Sequence, residues 1–356
     1  MPKKSEIEDR KFEGIHISLK EDVQAKNATT LLEDVILIHN ALPELNFDDI
    51  DTSTTFLNHK FSAPLLIDAM TGGTKEAAKI NSNLAAAAEE LGIGMGVGSQ
   101  RAGLNSKEMA ETYAVARKKA PSAFLIANIG GAQLVEGLDV KKIKKLIDMI
   151  KANAIAIHLN PLQELIQPEG EPRFKGVLES ISKISSDLGI PVVVKEVGSG
   201  ISREVAVRLE VTGVSAINVA GLGGTSWAAI EYFRAKKRQM NRKAELGELF
   251  WDWGIPTAAS IIEVKRTTDL PIIASGGVRT GLDVAKCIVL GAGLAGMAHP
   301  LLSVALKSEK EVANLLKKVV QELRSTMFIT GVGTIKDLSK ARYVITGRLS
   351  EWKASL

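Results

Sequence analysis

Short apolar segments alternate with longer amphipathic segments along most of the chain. The short segments are rich in Val, Ile and Leu, which is typical of parallel strands buried on both faces. Because parallel neighbours need a crossover connection, this alternation predicts a parallel sheet with helices packed against it. The predicted strands are residues 64–69, 93–98, 124–130, 154–160, 191–198, 216–221, 271–277 and 294–298.

Eight strand–helix units is the number that closes a (β/α)8 barrel. A doubly wound sheet is the main alternative, but it binds its ligand at one switch point. Here polar or glycine-rich residues follow nearly every predicted strand, which favours a barrel, where all strand ends share one mouth. The predicted helices are residues 75–91, 140–153, 178–188, 203–210, 258–267 and 282–290.

Three segments lie outside this repeat. Residues 1–60 form an N-terminal extension that carries a helical pattern at residues 30–39. Residues 231–254 are highly charged and too long for an ordinary connection, which predicts either a lid that is mobile without substrate or a subunit contact. Residues 303–356 carry two helical patterns. Because no segment has the composition of a linker, we expect one domain across residues 1–356.

The composition is that of a globular protein with a large core, since 45% of residues are hydrophobic and 24% are charged. The net charge is only +4, and Lys and Glu are spread along the chain. A nucleic-acid-binding protein would need a clustered basic stripe and aromatic platforms, yet aromatic residues make up only 4%. We therefore expect no nucleic-acid partner, and the charge suits an anionic small molecule.

The single cysteine, Cys287, excludes an internal disulfide framework. It falls in a helical pattern, where a packing role is expected. The N-terminal residues are charged, and no stretch approaches the roughly 18 consecutive apolar residues of a membrane span. We therefore expect a cytoplasmic protein that does not enter a membrane.

The fourth predicted strand ends in an unusual cluster of polar side chains. His158, Asn160, Gln163 and Glu164 follow an apolar run within seven residues, and Pro161 ends the strand. One such residue would be interpreted as a helix cap or a satisfied core side chain. Four together, at the carboxyl end of a buried strand, indicate an active site.

Two other strand ends carry candidate chemistry. Lys195 lies in a run of valines on the fifth strand, where burial is costly unless the ammonium meets an anion or loses its proton. Residues 275–279 follow the seventh strand and open a helix, so their free N–H groups, the helix dipole and Arg279 would attract an anion. Together with the end of the eighth strand, this turn predicts a phosphate site.

Several of these segments closely resemble type II isopentenyl-diphosphate isomerases. The motifs that carry the resemblance are residues 69–73, 96–101, 158–164, 194–198 and 223–227. The resemblance spans nearly the whole chain, from Arg10, Lys11 and His16 to the end of the eighth strand. It implies an FMN- and Mg²⁺-dependent enzyme that interconverts isopentenyl and dimethylallyl diphosphate without net redox change. It also implies that the flavin works in its reduced form, supplied by NADPH or another reductant, and that the enzyme is a homotetramer.

The resemblance assigns roles to residues of this chain. Glu164 resembles the magnesium ligand, and Gln163, His158 and Lys195 are the candidate catalytic residues. The implied diphosphate-binding residues are Arg10, Lys11, His16, Ser99, Arg101, His158, Asn160 and Gln163. The implied FMN contacts are Ala69, Met70, Thr71, Ser99, Asn128, Lys195, Thr225, Ser275, Gly276, Gly277, Arg279, Met297 and Ala298.

Physical chemistry is compatible with these roles. Mg²⁺ prefers few carboxylates together with phosphate oxygens, which a single Glu164 would satisfy. We expect this side chain to be partly buried, because it lies just past a strand end. A lysine at position 195 would stabilise an anionic reduced flavin, and the cofactor would perform the proton transfers that side chains perform poorly.

Four alternatives remain. An FMN-dependent 2-hydroxy-acid oxidase or dehydrogenase would need a base and an arginine after the sixth strand, whereas residues 221–227 contain no His or Arg. A nucleotide oxidoreductase would need a loop cysteine, and Cys287 is predicted on a helix. A class I aldolase with Lys195 as Schiff base would not explain the cluster after the fourth strand. A non-catalytic flavin-binding barrel would keep the phosphate turn without that cluster.

Overall fold

The computed structural model describes the backbone of residues 4–356 and the side chains from residue 9 onward. The strands are β1 (Val35–Leu37), β2 (Thr54–Phe56), β3 (His59–Phe61), β4 (Leu65–Ile67), β5 (Gly94–Gly96), β6 (Leu125–Gly130), β7 (Ala154–His158), β8 (Val192–Lys195), β9 (Ala216–Asn218), β10 (Ile272–Ala274), β11 (Leu294–Met297) and β12 (Tyr343–Ile345). The helices are α1 (Lys4–Lys20), α2 (Lys75–Leu91), α3 (Lys107–Lys119), α4 (Gly131–Val135), α5 (Val140–Ile150), α6 (Pro161–Ile166), α7 (Val177–Asp187), α8 (Arg203–Glu210), α9 (Trp227–Lys237), α10 (Asn241–Leu249), α11 (Thr257–Thr267), α12 (Gly281–Val289), α13 (His299–Ala305), α14 (Glu309–Thr330), α15 (Ile335–Leu338) and α16 (Gly347–Ala354).

Strands β4 to β11 close into a parallel barrel in which each strand pairs with its neighbours in chain order and β11 pairs with β4. This confirms the predicted (β/α)8 barrel, and each of the eight predicted strands contains one observed strand. The observed strands are shorter because the residues at the predicted carboxyl ends leave the ladder to form the loops of the barrel mouth.

Strand side chains point alternately into the barrel and outward to the helices, so the core has two separate parts. Leu66, Ile126, Ala156, Val193 and Ile273 belong to one buried cluster that fills the lower barrel, which the hairpin of β2 and β3 closes from below. The alternate strand residues, such as Ile67, Ile155 and Val194, point outward and pack against the helices in a second, larger buried cluster. Since side chains alternate between faces, the next inward position on each strand lies one layer higher, at the mouth.

This next layer is polar. The inward positions two residues beyond the apolar layer are Asp68, Asn128, His158, Lys195, Asn218 and Ser275. Most of them are buried. The barrel therefore carries a polar layer directly above its apolar plug, and the alternation of the strands alone places it there.

The predicted helix at residues 30–39 is wrong. A 3-10 turn over Leu32–Asp34 is followed by β1, which pairs antiparallel with β12. The Val-Ile-Leu sequence of β1 favours a strand. Its partner lies about 300 residues away in sequence, so local periodicity could not reveal the pairing.

The segment 231–254 is a pair of helices rather than an irregular loop. Helix α9 already begins at Trp227 and packs against α10. Trp251 is buried between them and Val23, whereas Trp253 is 62% exposed. That the segment acts as a mobile lid stays a prediction.

Two further expectations concern packing and membranes. Cys287 is fully buried on α12 within the outer core cluster, which confirms a packing position. Among residues 4–356, no helix combines the length and the apolar character that crossing a bilayer requires.

Candidate active site

The carboxyl ends of the barrel strands surround a cavity of about 260 Å³, which α1 borders from above. Nearly all of the site residues predicted from the sequence line it. They are Arg10, Lys11, Ala69, Met70, Thr71, Ser99, Arg101, Asn128, His158, Asn160, Gln163, Glu164, Lys195, Thr225, Ser275, Gly276, Gly277, Arg279 and Ala298. Residues from all eight strand ends of the barrel and from the N-terminal extension thus meet in one place.

Two predicted site residues lie outside the cavity lining. The His16 imidazole is 3.3 Å from the Glu76 carboxylate and packs against the Phe12 ring, on the side of α1 that faces α2. Met297 is buried in the outer core because strand alternation turns it away from the barrel axis. Only its peptide oxygen faces the site, where it accepts a hydrogen bond from the Asp68 N–H at 2.8 Å.

The cluster after β7 is held by hydrogen bonds among its own members. The Asn160 amide donates to Gln163 at 3.0 Å and to Glu164 at 3.2 Å. Gln167 and the Glu171 N–H donate to the other Glu164 oxygen, at 3.2 and 3.1 Å. Glu164 is 8% exposed, so the expected partial burial is wrong, because the loop after α6 folds back over the carboxylate.

Asn160 occupies the N-cap position of α6, but its side chain makes no capping hydrogen bond. Pro161 takes the first helical position, where a missing N–H costs nothing. The Asn160 side-chain oxygen is buried and has no partner among the described groups. An unpaired buried acceptor beside a carboxylate is costly, so the simple capping interpretation fails and a ligand for these oxygens is indicated.

These oxygens fit a magnesium ion better than a metal held by protein alone. Glu164 is bonded only to neutral donors, so its negative charge remains available, and Asn160 adds a neutral oxygen. Within the described part of the chain, no three His, Cys, Asp or Glu side chains could share a metal. A metal at this site would therefore need oxygens from a bound ligand, as Mg²⁺ commonly does.

His158 is a neutral imidazole at physiological pH. Burial, assisted by the positive charges of Lys195, Arg10 and Lys11, lowers its pKa to about 3. Its Nδ1 lies 2.8 Å from the Asn128 side-chain oxygen and therefore carries the proton. Nε2 is then the unprotonated nitrogen, and an anion arriving among these cations would favour its protonation.

Lys11 reaches the cavity from α1. Its ammonium donates to the Ser99 carbonyl at 2.7 Å and to the hydroxyl of Tyr113. Burial, with a smaller contribution from Arg10, lowers the pKa of this ammonium to about 7. Burial also lowers the pKa of Arg10. Two neighbouring cations at one end of the cavity form a site that attracts a multiply charged anion.

The turn after β10 has the geometry of a phosphate-binding loop. Gly276 and Gly277 have φ values of +100° and +73°, and a Cβ on either would overlap the neighbouring backbone. The N–H groups of residues 276–278 have no hydrogen-bond acceptor among the described residues. Gln24 holds the Arg279 guanidinium at 2.7 Å beside them. These free donors suit the phosphate of FMN.

A buried arginine forms one wall of the cavity. Arg234 is 1% exposed and pairs with Glu231 at 2.6 Å, Glu169 at 2.8 Å and Glu13 at 3.2 Å. Burial alone would lower the pKa of Arg234, but the carboxylates of Glu231 and Glu169 raise it above its usual value. Glu231 also accepts a hydrogen bond from Gln163 at 3.0 Å, which connects this wall to the cluster after β7.

Sequence reasoning missed four residues of this site. Asp68 precedes the motif at residues 69–73, and counting inward positions along the first strand would have found it. Glu231 and Arg234 were assigned to a loop, although apolar residues at helical spacing run through residues 227–235. Tyr113 gave no signal, because only the folded chain brings α3 to Ser99.

Comparison with known proteins identifies the family. Residues 158–345 match the model of the FMN-dependent dehydrogenases. An isopentenyl-diphosphate delta-isomerase from Methanothermobacter thermautotrophicus is 48% identical, with 97% of this chain and 95% of that protein covered. One from Metallosphaera sedula is 49% identical, with 98% and 95% covered. The chain belongs to the type II isopentenyl-diphosphate delta-isomerase family. It is an enzyme, and the resemblance noted in its motifs is confirmed.

Solved structures share the barrel of this isomerase family. The lactate oxidase from Pediococcus acidilactici superposes with a TM-score of 0.68 at 17% identity, over 97% of this chain and 93% of that one. The flavin-binding domain of baker's yeast flavocytochrome b2 gives 0.69 at 14% identity, over 96% and 84%. At these identities the likeness shows the fold alone.

The pairing of Arg234 weighs against the alternative of a 2-hydroxy-acid oxidase or dehydrogenase. An arginine does follow β9 on α9, but Arg234 is enclosed by three carboxylates and has no free face for a substrate carboxylate. The nearby Glu231 is bonded to Arg234 and Gln163. The arginine after β9 that lines the cavity, Arg234, is therefore already paired and not available for a substrate carboxylate, as the hydroxy-acid chemistry would require.

Proposed function

We propose that this enzyme interconverts isopentenyl diphosphate and dimethylallyl diphosphate, with reduced FMN and Mg²⁺. One observation carries the proposal: the cavity has two separate anion-binding regions. The turn at residues 275–279 follows β10, and the cluster of His158 to Glu164 follows β7, three strands away around the barrel. One region suits a cofactor phosphate and the other a substrate diphosphate.

FMN would lie across the polar layer, with its phosphate on the turn after β10. Gly276, Gly277 and Arg279 would hold the phosphate, and Lys195 would face the ring from β8. Reduced FMN supplies a proton donor and acceptor beside the alkene and an electron-rich ring that stabilises positive charge. The chain fixes the position of that ring and excludes water from it.

The substrate diphosphate would occupy the space between α1 and the end of β7. Arg10, Lys11 and His158 would neutralise its charge, with further contacts from Ser99, Arg101 and Asn160. Glu164 and the unpaired Asn160 oxygen would hold Mg²⁺ against the phosphate oxygens. These contacts fix the hydrocarbon end over the ring, which is the main contribution that binding can make to such a reaction.

Gln163 lines the cavity beside the proposed diphosphate and magnesium residues. Its side-chain nitrogen donates to Glu231, and its oxygen accepts from Asn160. The amide is therefore held in one orientation, and its remaining N–H faces the cavity. We propose that Gln163 orients the substrate and assists the transfer of the proton that leaves or returns.

Family resemblance also supports a homotetramer, which sedimentation at micromolar concentration would test.

The proposed reaction gives a direct test. With reduced FMN and Mg²⁺, the enzyme should convert isopentenyl diphosphate to dimethylallyl diphosphate and back, with no flavin oxidised per turnover. In D₂O, deuterium should enter the C4-derived methyl group and the C2 position, since protons leave and return there. Air-oxidised enzyme should be inactive until it is reduced. Oxidation of lactate or glycolate without isomerisation would instead support the hydroxy-acid alternative.

Diphosphate binding should take up protons. The pKa of Lys11 is lowered to about 7, so at pH 8 much of this lysine is neutral in the free enzyme. A bound diphosphate raises the pKa of Lys11, and uptake of up to about one proton per site follows from this group. Calorimetry at pH 8 in buffers of different ionisation enthalpy measures the uptake.

Lys11→Met provides the control for this uptake. It removes the titrating group but keeps the length of the side chain, so the measured uptake should fall. Lys175→Met, an exposed lysine on the loop before α7, should leave the uptake unchanged. Equal uptake by wild type and Lys11→Met would contradict the assignment.

A further inference from the structure

Asp68 is a buried carboxylate at the centre of the cavity floor to which no role has been given. It is the inward residue after β4, it lines the cavity, and it is 6% exposed. An isolated buried carboxylate is strongly unfavourable, so its partners indicate why it is there.

Two of the partners of Asp68, Ala69 and Lys195, are among the proposed flavin contacts, and the third, Asn218, links it to another of them. One carboxylate oxygen accepts the Ala69 N–H at 2.7 Å. The other lies 3.8 Å from the Lys195 ammonium and accepts the Asn218 amide at 3.0 Å. The Asn218 oxygen in turn accepts the Ser275 hydroxyl at 2.7 Å. One carboxylate thus connects the ends of β4, β8, β9 and β10.

Lys195 depends on this arrangement for its position. Its ammonium donates to the Glu196 carbonyl at 2.9 Å and has Asp68 as its ion-pair partner, with both side chains under 10% exposed. The Glu196 carboxylate makes no ion pair with Lys195, because its side chain accepts the N–H groups of Val197 and Gly198 instead. Asp68 is therefore the negative charge that balances Lys195 beneath the flavin.

We propose that Asp68 is a positioning residue that anchors Lys195 and the Ala69 peptide against the flavin and sets the net charge beneath the ring. The inference rests on the proposed FMN binding. Asp68 would act on a bound flavin through these neighbours, and Asn218 extends the same anchor to Ser275 at the phosphate turn.

The replacement Asp68→Asn keeps the shape and removes the charge. The site beneath the ring then becomes more positive, which favours the reduced and negatively charged flavin. The two-electron midpoint potential of bound FMN should therefore shift to a more positive value. Loss of the anchor should also lower kcat by about 10–100-fold, because small displacements of reacting groups are costly. KM should change much less, since the diphosphate site lies across the cavity.

A double-mutant cycle separates this role from general structural damage. If Asp68 anchors Lys195, the fold loss of kcat caused by Asp68→Asn should be at most half as large when the replacement is made in a Lys195→Met background. Asp148→Asn, an exposed carboxylate on α5, should leave the potential unchanged because distant surface charge is screened. An unchanged or more negative potential in Asp68→Asn, or an undiminished loss of kcat in the Lys195→Met background, would overturn the proposal.

A second variant and the binding of FMN by the wild type separate failure of this inference from failure of the proposed function. If Asp68→Asn yields no folded protein, Asn218→Ser is used, which keeps the charge but frees the carboxylate and the Ser275 hydroxyl. Asn218→Ser should weaken FMN binding by about tenfold, since residues that support metal ligands typically cost 10–100-fold when they are replaced. Unchanged FMN binding would contradict the proposed role of Asp68 and Asn218 in anchoring the flavin site. If the wild type binds no FMN, the proposed function fails. If the wild type binds FMN but Asp68→Asn has the same flavin potential and kcat as the wild type, only this inference is rejected.

Discussion

Replacing Glu164 by glutamine is expected to lower the isomerisation rate by about 100-fold or more while FMN binding is retained. A metal ion supplies several kcal/mol of charge stabilisation, and each 1.4 kcal/mol, roughly, is a factor of ten in rate. Glutamine keeps the size of the side chain but removes the charge that would hold Mg²⁺. The proposed FMN contacts lie elsewhere around the barrel, so flavin content should stay at the wild-type level.

The observed burial of Glu164 adds a small stability cost to this prediction. The carboxylate accepts hydrogen bonds from Asn160, Gln167 and the Glu171 N–H, and an amide can replace only part of these acceptors. We expect the free energy of unfolding to fall by about 1–2 kcal/mol, since one buried donor loses its partner. The protein should remain folded.

Steady-state rates over a range of Mg²⁺ concentrations measure the effect. Excess Mg²⁺ should restore only part of the activity of Glu164→Gln, because the Asn160 oxygen remains. Glu179→Gln, an exposed carboxylate in the first turn of α7, should behave as wild type. Loss of FMN or of folding in Glu164→Gln, with Mg²⁺ dependence unchanged, would indicate a structural role instead.

Much of the fold could be predicted because barrel strands are local apolar runs. Val192 to Val194 need no distant information to be identified as a buried strand, and the helices between strands follow from their periodicity. The pairing of β1 with β12 could not be predicted, since neither three-residue strand is stable without the other. The helical character of residues 231–254 was hidden by charged residues, several of which are paired rather than solvated.

The site could be predicted where chemistry coincides with strand ends. His158 and Lys195 lie at inward positions of their strands, so sequence position alone places them at the mouth. His16 lies outside the cavity lining, because its position depends on how α1 lies over the barrel, which the sequence does not determine; its role in binding substrate stays a prediction. Arg234 was missed because a buried arginine is recognised by its carboxylate partners, and these come from α1, α9 and the loop after α6.

Replacing Arg234 by methionine is expected to destabilise the folded enzyme by about 3–5 kcal/mol. Methionine fills most of the volume, so the main cost is the loss of the cation that pairs with the buried Glu231 carboxylate at 2.6 Å. Removing one partner of a buried ion pair leaves an uncompensated charge, which is far more costly than removing both. The double variant Arg234→Met/Glu231→Gln should therefore recover a large part of the loss.

The pH dependence of this loss has a definite sign. Burial, which outweighs the attraction of Arg234, already raises the pKa of Glu231 in the folded enzyme, and removal of Arg234 raises it further. A carboxyl with a raised folded pKa binds more protons folded than unfolded, so it destabilises increasingly as the pH rises above its unfolded value of about 4.3. Arg234→Met should accordingly lie closer to wild type at pH 5 than at pH 8. Burial acts to raise the pKa values of Glu13 and Glu169, but their pairing with Arg234 helps to lower them. Losing these pairs in Arg234→Met would also cost more stability at pH 8 than at pH 5.

Urea unfolding of wild type and variants at both pH values tests this expectation. Lys237→Met is the matched control on the same helix, because Lys237 also pairs with Glu13, at 3.0 Å, but is 68% exposed. An exposed pair contributes about 1 kcal/mol at most, so this control should change stability little. A comparable loss in both variants, or no recovery in Arg234→Met/Glu231→Gln, would show that α9 is held by its apolar packing and not by the buried charge. The expected recovery would instead show that the loss comes from the uncompensated charge of Glu231, which Arg234 balances in the wild type.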